Sequence, residues 1–419
     1  AMRLLRRRPR ALSGWWRGRA RSTLASSLDA DVLVVGGGHA GCEAAAAASR
    51  AGCTTLLVTQ RLTTVGEMSC NPSIGGVGKG HLVREVDAMG GLMASVADEA
   101  AIHFRLLNRS KGPAVQGPRV QADRTRYRTT MQATLARVDR LQLVEASVED
   151  LIVEDGAVHG VITAEGISLR ARCVVLTTGT FLRGEILIGR TRRAAGRFAR
   201  ATAHGDEGAL EVEGASVGVA ATLDRLGLPL ARLKTGTPPR LDGRTIAWSD
   251  LRLSAQPSET PPTFLSYRNA LRDSPIAPSV ITCFMTHTTD ETLRIVRESS
   301  HTLPTYQGDG PRYCPSIATK VERFPEARRH QVWLEPEGLD TDLVYPNGIS
   351  GAYPPEVQAR IVASIGGLEH ARIVQPAYDV EYEYIDPRAV RHTLEVRACA
   401  GLFLAGQILG TTGYEEAAA

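Results

Sequence analysis

The sequence predicts an α/β protein: a two-piece, Rossmann-like dinucleotide-binding unit with a second α/β unit inserted between the pieces. Three observations carry this prediction. A strand, a glycine turn, a helix and a second strand follow one another from Asp31, and buried strand-like runs recur as far as residue 182. The tail, roughly 360 residues after the first glycine turn, again runs from a strand into glycines. The expected organisation is a leader over 1–28, a first segment of the dinucleotide unit over 29–230, the inserted unit over 231–309 and the second segment over 310–419.

The elements read in order. DVLVV (31–35) is a short β-branched run, and GGGHAG (36–41) follows at once. CEAAAAASRAG (42–52) is an alanine-rich helix closed by Gly52, and TTLLVT (54–59) is a second buried strand. Gly36, Gly38 and Gly41 therefore form GxGxxG in the context that gives the motif meaning. The first glycine makes the tight turn, the second lets backbone amides approach a pyrophosphate, and the third packs helix on strand. The carboxylate expected at the end of the second strand is missing, because Thr59-Gln60-Arg61 stands there. Either Thr59 or Gln60 holds the ribose, or the contact comes from elsewhere.

Residues 141–163 alternate as strands about a turn at Asp155-Gly156, and CVVLTTGTFL (173–182) is a further buried strand. Residues 196–216 lack periodicity and read as a surface insertion. RLKTGTPPR (232–240) is a basic turn whose Lys234 and Arg240 either flank it or suit an anionic cofactor, and the Pro- and Ser-rich 254–278 reads as a linker. In the tail, Thr412 and Glu415 have capping-box spacing. A chain that leaves the dinucleotide fold and returns so late is typical of two-piece FAD domains.

Composition bounds the rest. Hydrophobic residues at 43% with 22% charged fit a soluble globular chain, and no apolar run approaches a membrane span. The net charge of +4 misleads: residues 1–28 hold eight arginines and no acid, leaving 41 basic against 45 acidic side chains. That leader reads as a mitochondrial transit peptide, with a basic nucleic-acid arm as the bland alternative. Residues 105–128 carry seven basic side chains against Asp123 alone, which suits either RNA phosphates or a solvated helix face.

SIGGVGKGH (73–81) is not a P-loop, because Ser73 replaces the first glycine and Gly80 the hydroxyl; a close-approach loop at a flavin is expected instead. The seven cysteines include no CxxC pair, so reduced thiols are expected and no metal site. Two of them, Cys70 in MSCNPSIGG and Cys314 in GPRYCPS, sit in loops beside prolines, and Arg312 precedes the latter. An adjacent cation favours a thiolate, and the shared setting points to function for both. His287 reads as structural.

GGGHAG, MSCNPSIGGVGKGHLVREVDAMGG, LNRSKGPAV, RLKTGTPPR, GPRYCPSI, VWLEPEG, YPNGIS and GQILGTTGYEEAAA occur in that order. Together they resemble the FAD-containing large subunit of the tRNA wobble-uridine modification complex, the MnmG or GidA family, in its mitochondrial form, over about residues 31–419. The resemblance implies an enzyme in which FAD, reduced by NADH, serves attachment of an aminomethyl-type group to carbon 5 of the wobble uridine of tRNA. It implies an MnmE-type GTPase partner carrying methylene-tetrahydrofolate, taurine as amine donor in animal mitochondria, a matrix location and a homodimer. The fold class becomes a two-piece Rossmann-like FAD-binding domain with an inserted α/β nicotinamide-binding domain.

Carried over by motif, Gly36, Gly37, Gly38, His39, Ala40 and Gly41 bind the FAD pyrophosphate, and Val148, Ser216 and Gln407 are further FAD contacts. The segment 310–324, with Gly310, Pro311, Arg312 and Tyr313, lines the nicotinamide side. Cys70 and Cys314 fall on the family's two active-site cysteines. Three departures stand out: the long 196–216 segment, Leu409 where the family has Asn near the flavin, and an expected absence of the C-terminal helical domain. The competing readings are a general FAD/NADH oxidoreductase acting on a small molecule or thiol, and a non-catalytic FAD-binding remnant.

Overall fold

The computed structural model describes residues 28–199, 211–271, 279–310 and 316–419. The leader therefore lies outside the described residues, apart from Leu28. The glycine turn is flanked as predicted: strand β1 (Leu28–Val35), helix α1 (His39–Arg50) and strand β2 (Thr55–Thr59). β1 is central, parallel to β2 on one side and to Ser168–Leu176 on the other. Leu141–Glu145 extends the sheet beyond β2, again parallel.

Both faces of this sheet are buried, and the pleat sorts the β1 side chains between them. Leu33 and Val35 enter one apolar cluster, and Val34 enters the other with Cys42, Ala45 and Ala46 of α1. The alanines keep α1 close to the sheet, and Gly52 at φ +94° ends it in the left-handed region. Val148–Glu154 and Ala157–Thr163 form the predicted hairpin, with Asp155 and Gly156 both at positive φ as a type I′ turn requires. The late return is present too: Leu402–Leu404 adds in parallel to Val174–Leu176. The dinucleotide unit is thus assembled from two distant pieces of chain.

Between those pieces, Leu230–Thr237 and Tyr378–Ile385 form an eight-pair antiparallel ladder. It leads to a six-stranded antiparallel sheet with strands from Ser254–Pro257 to Ile373–Gln375, around a core that includes Leu241, Val332, Leu334 and Val344. This sheet includes Gln331–Pro336 and Leu343–Asn347, beyond the boundary expected at residue 309. The expected linker 254–278 is also structured where described. Ser254–Pro257 is an edge strand, and Ser258 and Glu259 accept the amides of Phe104 and Leu106. Ladder pairing and side-chain acceptors for backbone amides outweigh a loop-like composition.

Two further expectations change. The helix Tyr414–Ala418 is preceded by Gly413 and has no side-chain cap. The Glu415 carboxylate turns to the Gly75 amide (2.7 Å) and Lys79 Nζ (3.1 Å) instead of closing a capping box. The basic stretch 105–128 is not a free cationic strip, because four of its seven cations meet acids brought from elsewhere, while Lys111 and Arg126 stay exposed. Arg109 pairs with Glu259, Arg119 with Glu335, Arg124 with Glu67 and Glu337, and Arg128 with Glu67. No described helix is long and apolar enough to cross a membrane.

Candidate functional site

A cavity of about 460 Å³ lies at the C-terminal ends of β1 and β2, where open parallel sheets hold ligands. Gly36 turns the chain at φ +109°, and a Cβ there would stand 2.6 Å from the Thr177 carbonyl oxygen. At Gly41 a Cβ would overlap the Gly36 carbonyl, so this glycine serves packing, and it is not part of the cavity wall. Gly38 differs: nothing lies within 4 Å of its Cβ position, so the open side is available to a ligand. Thr177 braces the turn by donating its hydroxyl to the Val35 and Gly36 carbonyls.

Helix α1 begins at this cavity with no side-chain cap and no acid in its first turn. Its free amides and the positive end of its dipole therefore face the space that an anion would fill. Two buried polar atoms on the cavity's residues are also without partners, His39 Nε2 and Thr178 Oγ1. Burial pushes the His39 imidazole down to about 4, so the ring is neutral at pH 7. Amides, a neutral ring and a hydroxyl fit a dinucleotide's phosphates and polar edges.

No carboxylate stands at the end of β2, where Thr59 and Gln60 border the cavity. Glu213 borders the cavity, held by Arg197 through two bonds of 2.8 and 2.9 Å. Nothing in the sequence pattern marked this pair, because it is made across the ribbon of Arg197–Phe198 and Val212–Glu213. Residues 200–210 of the long segment lie outside the described residues.

Cys70 also borders the cavity, half-buried, and its surroundings explain the polar loop that carries it. Its Sγ lies 3.1 Å from the Tyr345 hydroxyl and its amide donates to the Tyr414 hydroxyl at 2.5 Å. That hydroxyl in turn donates to the Asn71 carbonyl, while Arg240 donates to the Cys70 carbonyl. Behind the loop Arg124 donates to the Met68 carbonyl, and Arg124 and Arg240 both bind the buried Glu337. Buried guanidinium groups are tolerable only when so paired, and this network fixes the loop backbone. Burial pushes the Cys42 and Cys283 thiols up to about 12, which marks both as inert.

Of the residues singled out from sequence, Gly36, Gly37, Gly38, His39, Ala40, Cys70, Val148, Ser216 and Gln407 border this one cavity. Gly310 does not: it lies against Lys234, outside the lining. Pro311, Arg312, Tyr313 and Cys314 lie outside the described residues. Lys234 and Arg240 are bound to Asp379 and Glu337, so neither is a spare cation for a cofactor. Leu409 packs against the apolar cluster beneath the sheet and is not in the cavity wall, so an apolar side chain fits it there. Gly75 borders the cavity at φ +95°, but a Cβ there would stand 2.3 Å from the Pro118 carbonyl oxygen, so this glycine serves backbone packing.

The family model described as glucose inhibited division protein A matches residues 31–419. A curated relative, the tRNA uridine 5-carboxymethylaminomethyl modification enzyme MnmG of Granulibacter bethesdensis, is 54% identical over 396 residues. The alignment covers 93% of this chain and 60% of that relative, so the chain spans about three fifths of its length. Two crystal forms of Aquifex aeolicus GidA superpose with a TM-score of 0.85 each, at 43% and 44% identity. They cover 94% and 93% of this chain and 62% and 64% of the solved chains.

Proposed function

The chain belongs to the glucose inhibited division protein A (GidA, or MnmG) family, and from that premise we propose that it acts in modifying carbon 5 of the tRNA wobble uridine. The observation that carries the proposal is the single cavity onto which the uncapped start of α1 and Cys70 both open. One end suits a dinucleotide, and the other presents a nucleophile.

FAD is the proposed cofactor, with Gly36, Gly37, Gly38 and the α1 amides around its pyrophosphate and Val148, Ser216 and Gln407 along its length. When bound it would supply two-electron redox chemistry, with NADH as reductant. Gly310, Pro311, Arg312 and Tyr313 are proposed on the nicotinamide side. Cys70 is the proposed nucleophile toward the uridine ring or the incoming carbon, with Cys314 as its counterpart on the strength of the shared motif. Tyr345 holds a proton at the Cys70 sulfur, and Arg124, Arg240 and Tyr414 keep that loop from moving when substrate enters. The one-carbon unit is assigned to methylene-tetrahydrofolate on an MnmE-type GTPase, the oligomer to a homodimer and the product to the aminomethyl or taurinomethyl type. The Arg-rich leader supports a mitochondrial-matrix location.

The test is mass spectrometry of wobble uridine in tRNA from cells lacking the gene, with and without the restored gene. Unmodified uridine that recovers only with the restored gene is expected. Unchanged tRNA, together with NADH turnover on a small acceptor in the absence of RNA, would instead favour a general flavin oxidoreductase.

A further inference from the structure

A second space of about 490 Å³, an open surface groove, lies beside the six-stranded sheet. Its walls carry Lys320 and Arg323 of the helix Ile317–Arg323, then Phe324 and Arg329 of the loop that follows. No carboxylate is among its lining residues. Lys320 is tied to the Gly348 carbonyl at 2.8 Å, whereas Arg323 and Arg329 are exposed and reach no carboxylate among the described residues. That sets them apart from the cations of 105–128, most of which end on an acid. Phe324 lies beside these cations with 59% of its surface in water.

The groove also adjoins the first cavity. Asn347 borders both, at the end of the strand Leu343–Asn347 whose Tyr345 touches the Cys70 sulfur. A chain of nucleotides with one base in the cleft would cross Asn347 into this second space. What it offers there is side-chain charge and an aromatic face, and no main-chain cradle. The start of the neighbouring helix is closed by Ser316, which accepts the Thr319 amide, and the groove lies toward that helix's C-terminal end. A pyrophosphate favours the opposite end of a helix. Unpaired bases stack on exposed rings while guanidinium groups track the phosphates, which is the chemistry of single-stranded RNA.

We infer that this groove receives the RNA strand flanking the target nucleotide, with Arg323 and Arg329 on its phosphates and Phe324 against an unpaired base. The inference rests on the RNA-modifying reading above. It takes Arg323 and Phe324 from the segment expected to line the nicotinamide side, so NADH is the rival occupant.

The experiment uses a fluorescein-labelled anticodon stem–loop RNA with uridine at the wobble position, its anisotropy titrated with the flavin-loaded chain over a range of KCl. Arg323→Ala/Arg329→Ala is expected to weaken binding at least about tenfold and to make the log–log salt dependence shallower by about 1 to 2. Phe324→Ala is expected to weaken it about fivefold or more with the salt slope unchanged. Arg329→Lys should retain most of the affinity, and flavin absorbance should persist in every variant. These side chains are exposed, so the fold survives their loss. Unaltered RNA affinity in the double variant overturns the inference, and a raised KM for NADH in that case assigns the groove to the dinucleotide. Failure of the unsubstituted chain to bind RNA at all overturns the function proposed above as well.

Discussion

The hydroxyl of Tyr345 lies 3.1 Å from the sulfur of Cys70, on a ring that is 4% exposed. A buried hydroxyl has no water to turn to, so this contact is the natural place for its proton. Burial and the neighbouring sulfur both push the tyrosine's own ionisation upward, so the hydroxyl keeps its proton and can donate it to the sulfur. A donor to sulfur is worth about 1 kcal/mol, a few-fold in the equilibrium it supports. Tyr345→Phe is therefore expected to slow iodoacetamide alkylation of Cys70 at pH 7 about threefold to tenfold, with flavin absorbance retained. Cys70→Ser should abolish uridine modification and also retain the flavin; loss of flavin in it would make Cys70 structural.

Gly38 and Gly41 are three residues apart and should fail in different ways. Gly38 has φ −75°, which any residue adopts, and open space at its Cβ position. Gly38→Ala should fold with an unchanged melting temperature and bind flavin at least about tenfold more weakly, because the methyl occupies the ligand's side. Gly41→Ala drives a methyl into the Gly36 carbonyl and should cost about 2 to 4 kcal/mol in urea unfolding. Equal stability of the two variants would contradict this division of roles.

The contrast between those glycines shows how much was legible in the sequence. β1, the turn, α1 and the Asp155-Gly156 hairpin are set by neighbours within a few residues, so local pattern suffices. The partners of Cys70 lie 170, 275 and 344 residues away, at Arg240, Tyr345 and Tyr414, and spacing carries no trace of them. The cations of 105–128 read as solvated or RNA-bound for the same reason. Glu67, Glu335 and Glu337, which neutralise several of them, come from other parts of the chain. Thr412 and Glu415 satisfied a local capping rule, yet a tertiary amide and an ammonium outbid it for the carboxylate.

Lys79 binds two acids of the terminal helix, and the two bonds should differ in weight. Glu415 is buried, with only 5% of its side chain exposed, whereas Glu416 is 30% exposed. Lys79→Met strands the Glu415 carboxylate with the Gly75 amide alone and should cost about 2 to 4 kcal/mol. Glu416→Gln should cost less than about 1 kcal/mol, as water screens that pair. Urea midpoints of the two variants decide it, and comparable losses would refute the ranking.

Asp98 gives the pH dependence. It is fully buried on the helix Met93–Glu99, and its carboxylate accepts the Leu265 and Ser266 amides at 2.8 and 2.9 Å, with Asn269 at 3.2 Å. Burial raises its carboxyl from 3.8 to about 6, the three donors offsetting only part of the desolvation. Between those values the folded chain keeps a proton that the unfolded chain has lost. Stability must then fall as pH rises from about 4 to about 6, and level off above. The step for this one group is about 3 kcal/mol, two pH units at about 1.4 kcal/mol each. Asp98→Asn cannot ionise, so its melting temperature should lack that component, whatever its absolute value. Subtracting the two profiles removes the titration of other carboxylates, which both chains share. A difference that stays flat from pH 4 to pH 6 would show that Asp98 is already ionised in the folded state at the acid end.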